Sequence, residues 1–208
     1  MISGFCFCYN KGGRGGILRV WTRQSSNAWE ELKNKGVFRI KKSHIKKKYG
    51  DCSDSFMLCY DWLADEAAKR LEKPKGVEGP IWLALRSDFM PCPAENTVVI
   101  ELEMERDKLL VFDMGKWDYI LNYWYIPKDE KDRRSFRRAL DEKGVTNQSQ
   151  VMMTQFHPVL KREMKKSWSR LFDENIRVSE NDQAICWEIK LEWILSVDGE
   201  KPQDLCRI

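Results

Sequence analysis

Two periodicities alternate along this chain, and each marks a different kind of element. Ile17–Arg23 is an apolar run that turns polar at Thr22–Gln24, which predicts a strand. Asn27 with Glu30 three residues on has the spacing of a capping box, Trp29 and Leu32 share a helical face, and Gly36 marks the stop. Val37–Ile40 reads as a short second strand, followed by a charged loop, KKSHIKKKYGD. Ser53 or Asp54 then opens a second helix, in which Phe56, Tyr60, Leu63, Ala67 and Leu71 recur at helical spacing up to Pro74 and Gly76.

The middle of the chain shortens its period to two. Strands are predicted over Ile81–Arg86, Thr97–Met104 and Leu109–Phe112. Asp113 is placed to cap a third helix whose buried side is Trp117, Ile120, Leu121 and Trp124, ended by Pro127. KDEKDRRSFRRALDEKG predicts a mostly exposed helix closed by Gly144. Pro158 suits the first turn of a further helix, with Leu160, Met164, Trp168 and Leu171 facing inward. The run QAICWEIKLEWILSV predicts one long last strand, with Ile185, Trp187, Ile189, Leu191, Trp193 and Leu195 on its apolar face. This order of elements lacks the steady alternation of a doubly wound sheet. It predicts an α+β domain with a mostly antiparallel sheet and flanking helices packed to one side, residues 17–208, behind a Gly-rich flexible leader, residues 1–16.

Composition narrows the class. With 208 residues, 42% hydrophobic and 33% charged, the chain can bury a core without staples and reads as a soluble globular protein. The net charge of +4 makes no demand for a polyanionic partner. Local clusters are more basic: Lys41–Lys42 with Lys46–Lys48, then Arg133, Arg134, Arg137 and Arg138, then Lys161, Arg162, Lys165 and Lys166. Solvated faces are the ordinary account of such clusters. Seven cysteines, an odd number without a Cys-x-x-Cys pair, point to free thiols in a reducing, cytoplasmic compartment. Cys6, Cys8, His44, Cys52 and Cys59 match no usual zinc spacing, so no metal is expected. No segment has the run of about 18 apolar residues that a membrane helix needs.

Candidate chemistry is sparse. Only His44 and His157 are present, and there is no Gly-x-Ser-x-Gly elbow and no Gly-Lys-Ser/Thr phosphate loop. Glu101/Glu103 and Glu188/Glu192 read first as the wet face of strands. The more specific combination is a first strand bearing Arg19, Thr22 and Gln24 and a last strand bearing Glu188. Side by side they would bring a cation, a hydroxyl and a carboxylate to one cleft, where the arginine could hold phosphate and the carboxylate a ribose or a cationic transition state.

The motifs VWTRQSSNAWEELKNKGVFR, YDWLADEAAKRL, PIWLAL, VVIELEM, WDYILNYWYI and AICWEIKLEWI resemble, in order and over nearly the whole chain from Leu18 to Leu195, a bacterial family known as domain of unknown function 3841. That resemblance implies one intracellular domain and no particular activity. More distantly, the chain resembles the ADP-ribosyltransferase-like fold. Arg19 is similar to the first-strand arginine of one subgroup and Glu188 to its late glutamate, while Ser87 stands where the middle residue falls. The other subgroup's His-x-Thr becomes Val20-Trp21-Thr22, without the histidine. This resemblance implies NAD as cofactor, held by Arg19, Thr22 and Gln24, with Glu188 and Ser87 catalytic. The competing expectation is a non-enzymatic module that binds nucleic acid or a protein partner, through Trp21, Trp117, Trp124 and the basic clusters.

Overall fold

The computed structural model describes residues 16–43 and 53–200. Six strands form one antiparallel sheet: β1 (Ile17–Ser25), β3 (Ile81–Ala84), β4 (Thr97–Glu105), β5 (Leu110–Asp113), β6 (Asp182–Cys186) and β8 (Ile194–Val197). Their spatial order is β5-β6-β3-β1-β4-β8. A separate pair joins β2 (Val37–Phe38) to β7 (Ile189–Lys190). The helices are α1 (Ser26–Lys35), α2 (Ser53–Ala68), α3 (Met114–Leu121), α4 (Glu130–Asp141), α5 (Ser149–Met153) and α6 (Pro158–Trp168). This is the α+β architecture the periodicities predict.

Both faces of the sheet are covered, which corrects the expectation of helices on one side. Side chains alternate across a strand, so β3 sends Ile81 and Leu83 to one core and Trp82 towards the other. β6 does the same with Ala184 and Cys186 against Ile185. The first core is closed by α1 through Ala28, Trp29 and Leu32. The second gathers Leu63, Trp117, Ile120, Phe136, Leu140, Val151, Met164, Trp168 and Leu171 from the remaining helices and the turn after α6. Leu160, Met164, Trp168 and Leu171 are all buried, as their spacing requires.

The caps show which local signals decided. Asp113 caps α3 as expected, accepting from the Gly115 amide. For α1 the cap is Ser25 rather than Asn27, its hydroxyl oxygen accepting from the Ala28 amide at 3.2 Å, while Glu30 pairs with Lys33 at 2.7 Å. β1 therefore runs two residues beyond Arg23. Gly36 ends α1 with φ +71°, a left-handed conformation that a β-carbon makes costly. Gly36→Ala is expected to destabilise the fold by about 1 kcal/mol, read from urea unfolding midpoints, although nothing lies near enough to clash with the added methyl.

The predicted long last strand is broken. β6 stops at Cys186, β7 crosses to the small sheet, a 3-10 turn over Leu191–Trp193 follows, and β8 returns to pair with β4. Ile185, Cys186 and Trp187 are consecutive and all buried, which a one-sided strand could not achieve. The turn then shifts the parity, so Ile194 rather than Leu195 faces inward, and Leu191 is exposed. α5, absent from the sequence reading, fills the corner before α6.

Among the described residues Cys59, Cys92 and Cys186 are free thiols. Burial pushes the Cys59 thiol up to about 12, and its sulfur donates to the Ile120 carbonyl. It is a packing residue rather than a nucleophile. Cys6, Cys8, His44, Cys52 and Cys206 lie outside the described residues.

Candidate functional site

The sheet is nearly two sheets. β1 pairs with β4 over nine residues, from Ile17↔Glu105 to Ser25↔Thr97. With β3 it shares a single registered pair, Trp21↔Ala84. From Thr22 onward, the β3-facing edge of β1 has no ladder partner among the described residues. There a cavity of about 590 Å³ is lined by both strands and by the layers on either side of them.

The residues reach it for local reasons. Val20, Thr22 and Gln24 alternate onto one face of β1, and Thr22 is buried to 2% exposure. Gln24 Nε2 donates to Thr22 Oγ1 at 2.8 Å. That leaves the threonine's own proton and the Gln24 side-chain oxygen Oε1 free for a ligand, with no partner among the described residues. Across the split β3 contributes Trp82 and β6 contributes Gln183. Trp82 sits in a nest of aromatics, tilted against Trp117 at 5.2 Å and edge-on to Phe112 at 5.4 Å and Tyr60 at 6.2 Å. Its indole Nε1 is buried and has no acceptor among the described residues. Such a donor costs about 1–3 kcal/mol when nothing meets it.

The chemistry of the wall is therefore flat, aromatic and neutral. Tyr60, Trp82, Trp117 and Phe38 supply ring surface; Thr22, Gln24 and Gln183 supply hydroxyl and amide groups; no carboxylate is among the lining residues. Arg23 is the one cation on the described lining, exposed and anchored by a 2.8 Å hydrogen bond from Nη1 to the Cys92 carbonyl. A cavity of this size and polarity suits a small organic ligand.

The five residues singled out from sequence separate into two groups. Thr22 and Gln24 line the cavity together. Arg19 is on the opposite face of β1, with its side chain 62% exposed and Nε 3.5 Å from Glu101 Oε1. Ser87 is exposed in the 3-10 turn Ser87–Phe89. Glu188 lies between β6 and β7, where Arg39 Nε and Nη2 both donate to its Oε2, at 2.8 and 2.7 Å. β3 stands between β6 and β1, so the strands expected to be neighbours are not. Arg19 and Glu188 each have a different ion-pair partner, and neither lines the cavity. Trp82 and Gln183 were missed. Gln183 did carry a signal, since it is a polar residue opening an apolar run, as Thr22–Gln24 close one.

A second pocket, of about 550 Å³, surrounds Asp113 and Lys116. Lys116 is buried to 1% exposure, and its Nζ donates to the carbonyls of Arg170 and Asp173 at 3.0 and 2.7 Å. Burial pulls its pKa down. Every acceptor it uses is main chain, so it acts as a clamp on the turn after α6.

The fold is an α+β domain whose antiparallel sheet is split beside β1, with an aromatic cavity in the split. The chain belongs to the family described as domain of unknown function (DUF3841), whose model matches residues 19–195. No curated protein and no solved structure matches it significantly. No helix among the described residues is long and apolar enough to cross a membrane.

Proposed function

We propose that the chain binds a nucleotide of the NAD type, with a flat amide-bearing ring, nicotinamide or a base, entering the cavity between β1 and β3. The observation that carries this reading is the joint lining by Thr22, Gln24, Trp82 and Gln183. Amide and hydroxyl groups match the edge of a carboxamide or a base, and the aromatic walls match its faces. An acceptor on the ring would meet the unpaired Trp82 N–H. Arg23 at the mouth is the group that phosphates would meet first.

The reading stops at binding. In the transferase expectation a last-strand carboxylate stabilises a cationic sugar, and Glu188 was the residue assigned to it. The late residue on the cavity wall is Gln183 of β6, a neutral amide that neither accepts a proton nor offsets a full positive charge.

Titration calorimetry with NAD, nicotinamide, adenosine and ADP-ribose tests the proposal. Gln183→Leu and Thr22→Val are each expected to weaken the bound ligand about fivefold, one hydrogen bond's worth, without changing the unfolding midpoint by more than a degree or two. Arg19→Ala and Glu188→Gln are expected to leave affinity unchanged. Heat from none of the four ligands, or an affinity indifferent to Gln183, removes the proposal.

A further inference from the structure

A separate groove, sharing no lining residue with this cavity, lies where α3 turns into α4. Tyr123 has φ +56°, a conformation that a bulky side chain adopts only under constraint. The constraint is visible at the next residue, whose amide and carbonyl are both bonded. The Trp124 amide donates back to the Tyr119 carbonyl at 2.7 Å, and the Trp124 carbonyl accepts from Trp168 Nε1 at 2.8 Å. The backbone is thus pinned from inside while the Trp124 ring stays 38% exposed, edge-on to Tyr119 at 5.7 Å. The sequence pattern had put Trp124 on the buried face of α3; the turn lifts it out.

Beside that ring a groove of about 340 Å³ is bordered by α4. Phe136 and Leu140 anchor the helix in the core, which leaves Arg133 and Arg137 along the groove with one carboxylate, Asp141, at its end, and Arg134 and Arg138 outside the lining. Arg133 and Arg134 share Glu130, at 3.5 and 3.0 Å. Arg137 has no ion pair among the described residues. Arg133 and Arg137 are one turn apart, about 6 Å along the helix axis.

We infer that this groove binds single-stranded nucleic acid, with a base stacked on Trp124 and successive phosphates on Arg133 and Arg137. A ring held out by strained backbone and an unpaired guanidinium beside it answer the two parts of a nucleotide separately. Stacking takes any base, so the site reads strand form rather than sequence.

Fluorescence anisotropy with labelled deca-thymidylate, at 50 and 200 mM salt, tests the inference on the full chain. Arg133→Ala with Arg137→Ala is expected to weaken binding at least tenfold at low salt and to flatten the salt dependence by about 1.4 in the log–log slope, two phosphates at about 0.7 each. Trp124→Ala is expected to cost about 5- to 150-fold and Trp124→Phe much less. Saturating NAD leaves the oligonucleotide bound, which keeps this result apart from that at the β1–β3 cavity. Absence of binding at 50 mM salt overturns the inference. So does equal weakening by Arg162→Ala with Lys166→Ala, or indifference to the Arg133/Arg137 pair.

Discussion

Asp113→Ala is expected to lower stability by about 3–5 kcal/mol at pH 7, the largest loss from any single polar side chain described. The carboxylate is 1% exposed and accepts from the amides of Gly115, Val178 and Ser179 and from the Ser179 hydroxyl. It caps α3 and ties the 178–181 loop to that cap. Removing it strands several buried donors at about 1–3 kcal/mol each, partly relieved by water entering the space. Burial pushes its pKa up, but the hydrogen bonds from Ser179, Val178 and Gly115 outweigh that, and the net result is below the ordinary aspartate value. A depressed folded-state pKa contributes stability that is complete above the unfolded value, about 3.9, and is lost as pH falls through the folded value. Urea unfolding of wild type and variant should therefore differ fully at pH 6 to 7, and the difference should shrink as pH falls through the folded value. A difference that grows as pH falls would contradict this account.

Trp187→Ala is expected to cost about 3–5 kcal/mol, through lost burial and the cavity left behind. The ring is 3% exposed, its Nε1 donates to the Leu71 carbonyl at 3.1 Å, and Lys73 lies over its face at 5.1 Å. Trp193 was expected to match it, on the same face of one long strand. It sits instead in the 3-10 turn, partly exposed and covered by Lys190 at 5.2 Å. Trp193→Ala should cost clearly less than Trp187→Ala in the same denaturant titration. Equal losses would mean that the turn is as much part of the core as β6.

The difference between those two tryptophans shows what was legible. Helical periodicity reports one buried stripe whatever lies across from it, so Leu160, Met164, Trp168 and Leu171 could be placed without knowing the fold. Asp113 could be placed too, because a cap is settled by its own next residues. A strand run is different, since a strand covered on both faces and a strand that breaks and resumes have the same apolar content. QAICWEIKLEWILSV is both. The candidate site was half legible for the same reason. Thr22 and Gln24 were recognisable as polar groups at a strand mouth. Which late residue joins them depends on β3 standing between β1 and β6, a pairing of segments 60 to 160 residues apart that leaves no local mark. Glu188 drew attention as a charge in an apolar run, and its neighbour Arg39 accounts for that charge.

The placement of β1 in the middle of the sheet has a consequence for how the protein is made. Trp21 pairs with Glu101, 80 residues further along the chain. At roughly 5–20 residues per second of synthesis, β1 waits about 4–16 s for β4 to be made. During that interval Ile17–Ser25 is a nascent apolar segment with both edges bare, the kind that recruits other nascent chains. Arg19 and Arg23 interrupt it four residues apart, on the same face with Trp21 between them, and both stay exposed in the finished sheet. Charges placed within an apolar strand are the pattern that limits such association before the partner strand arrives.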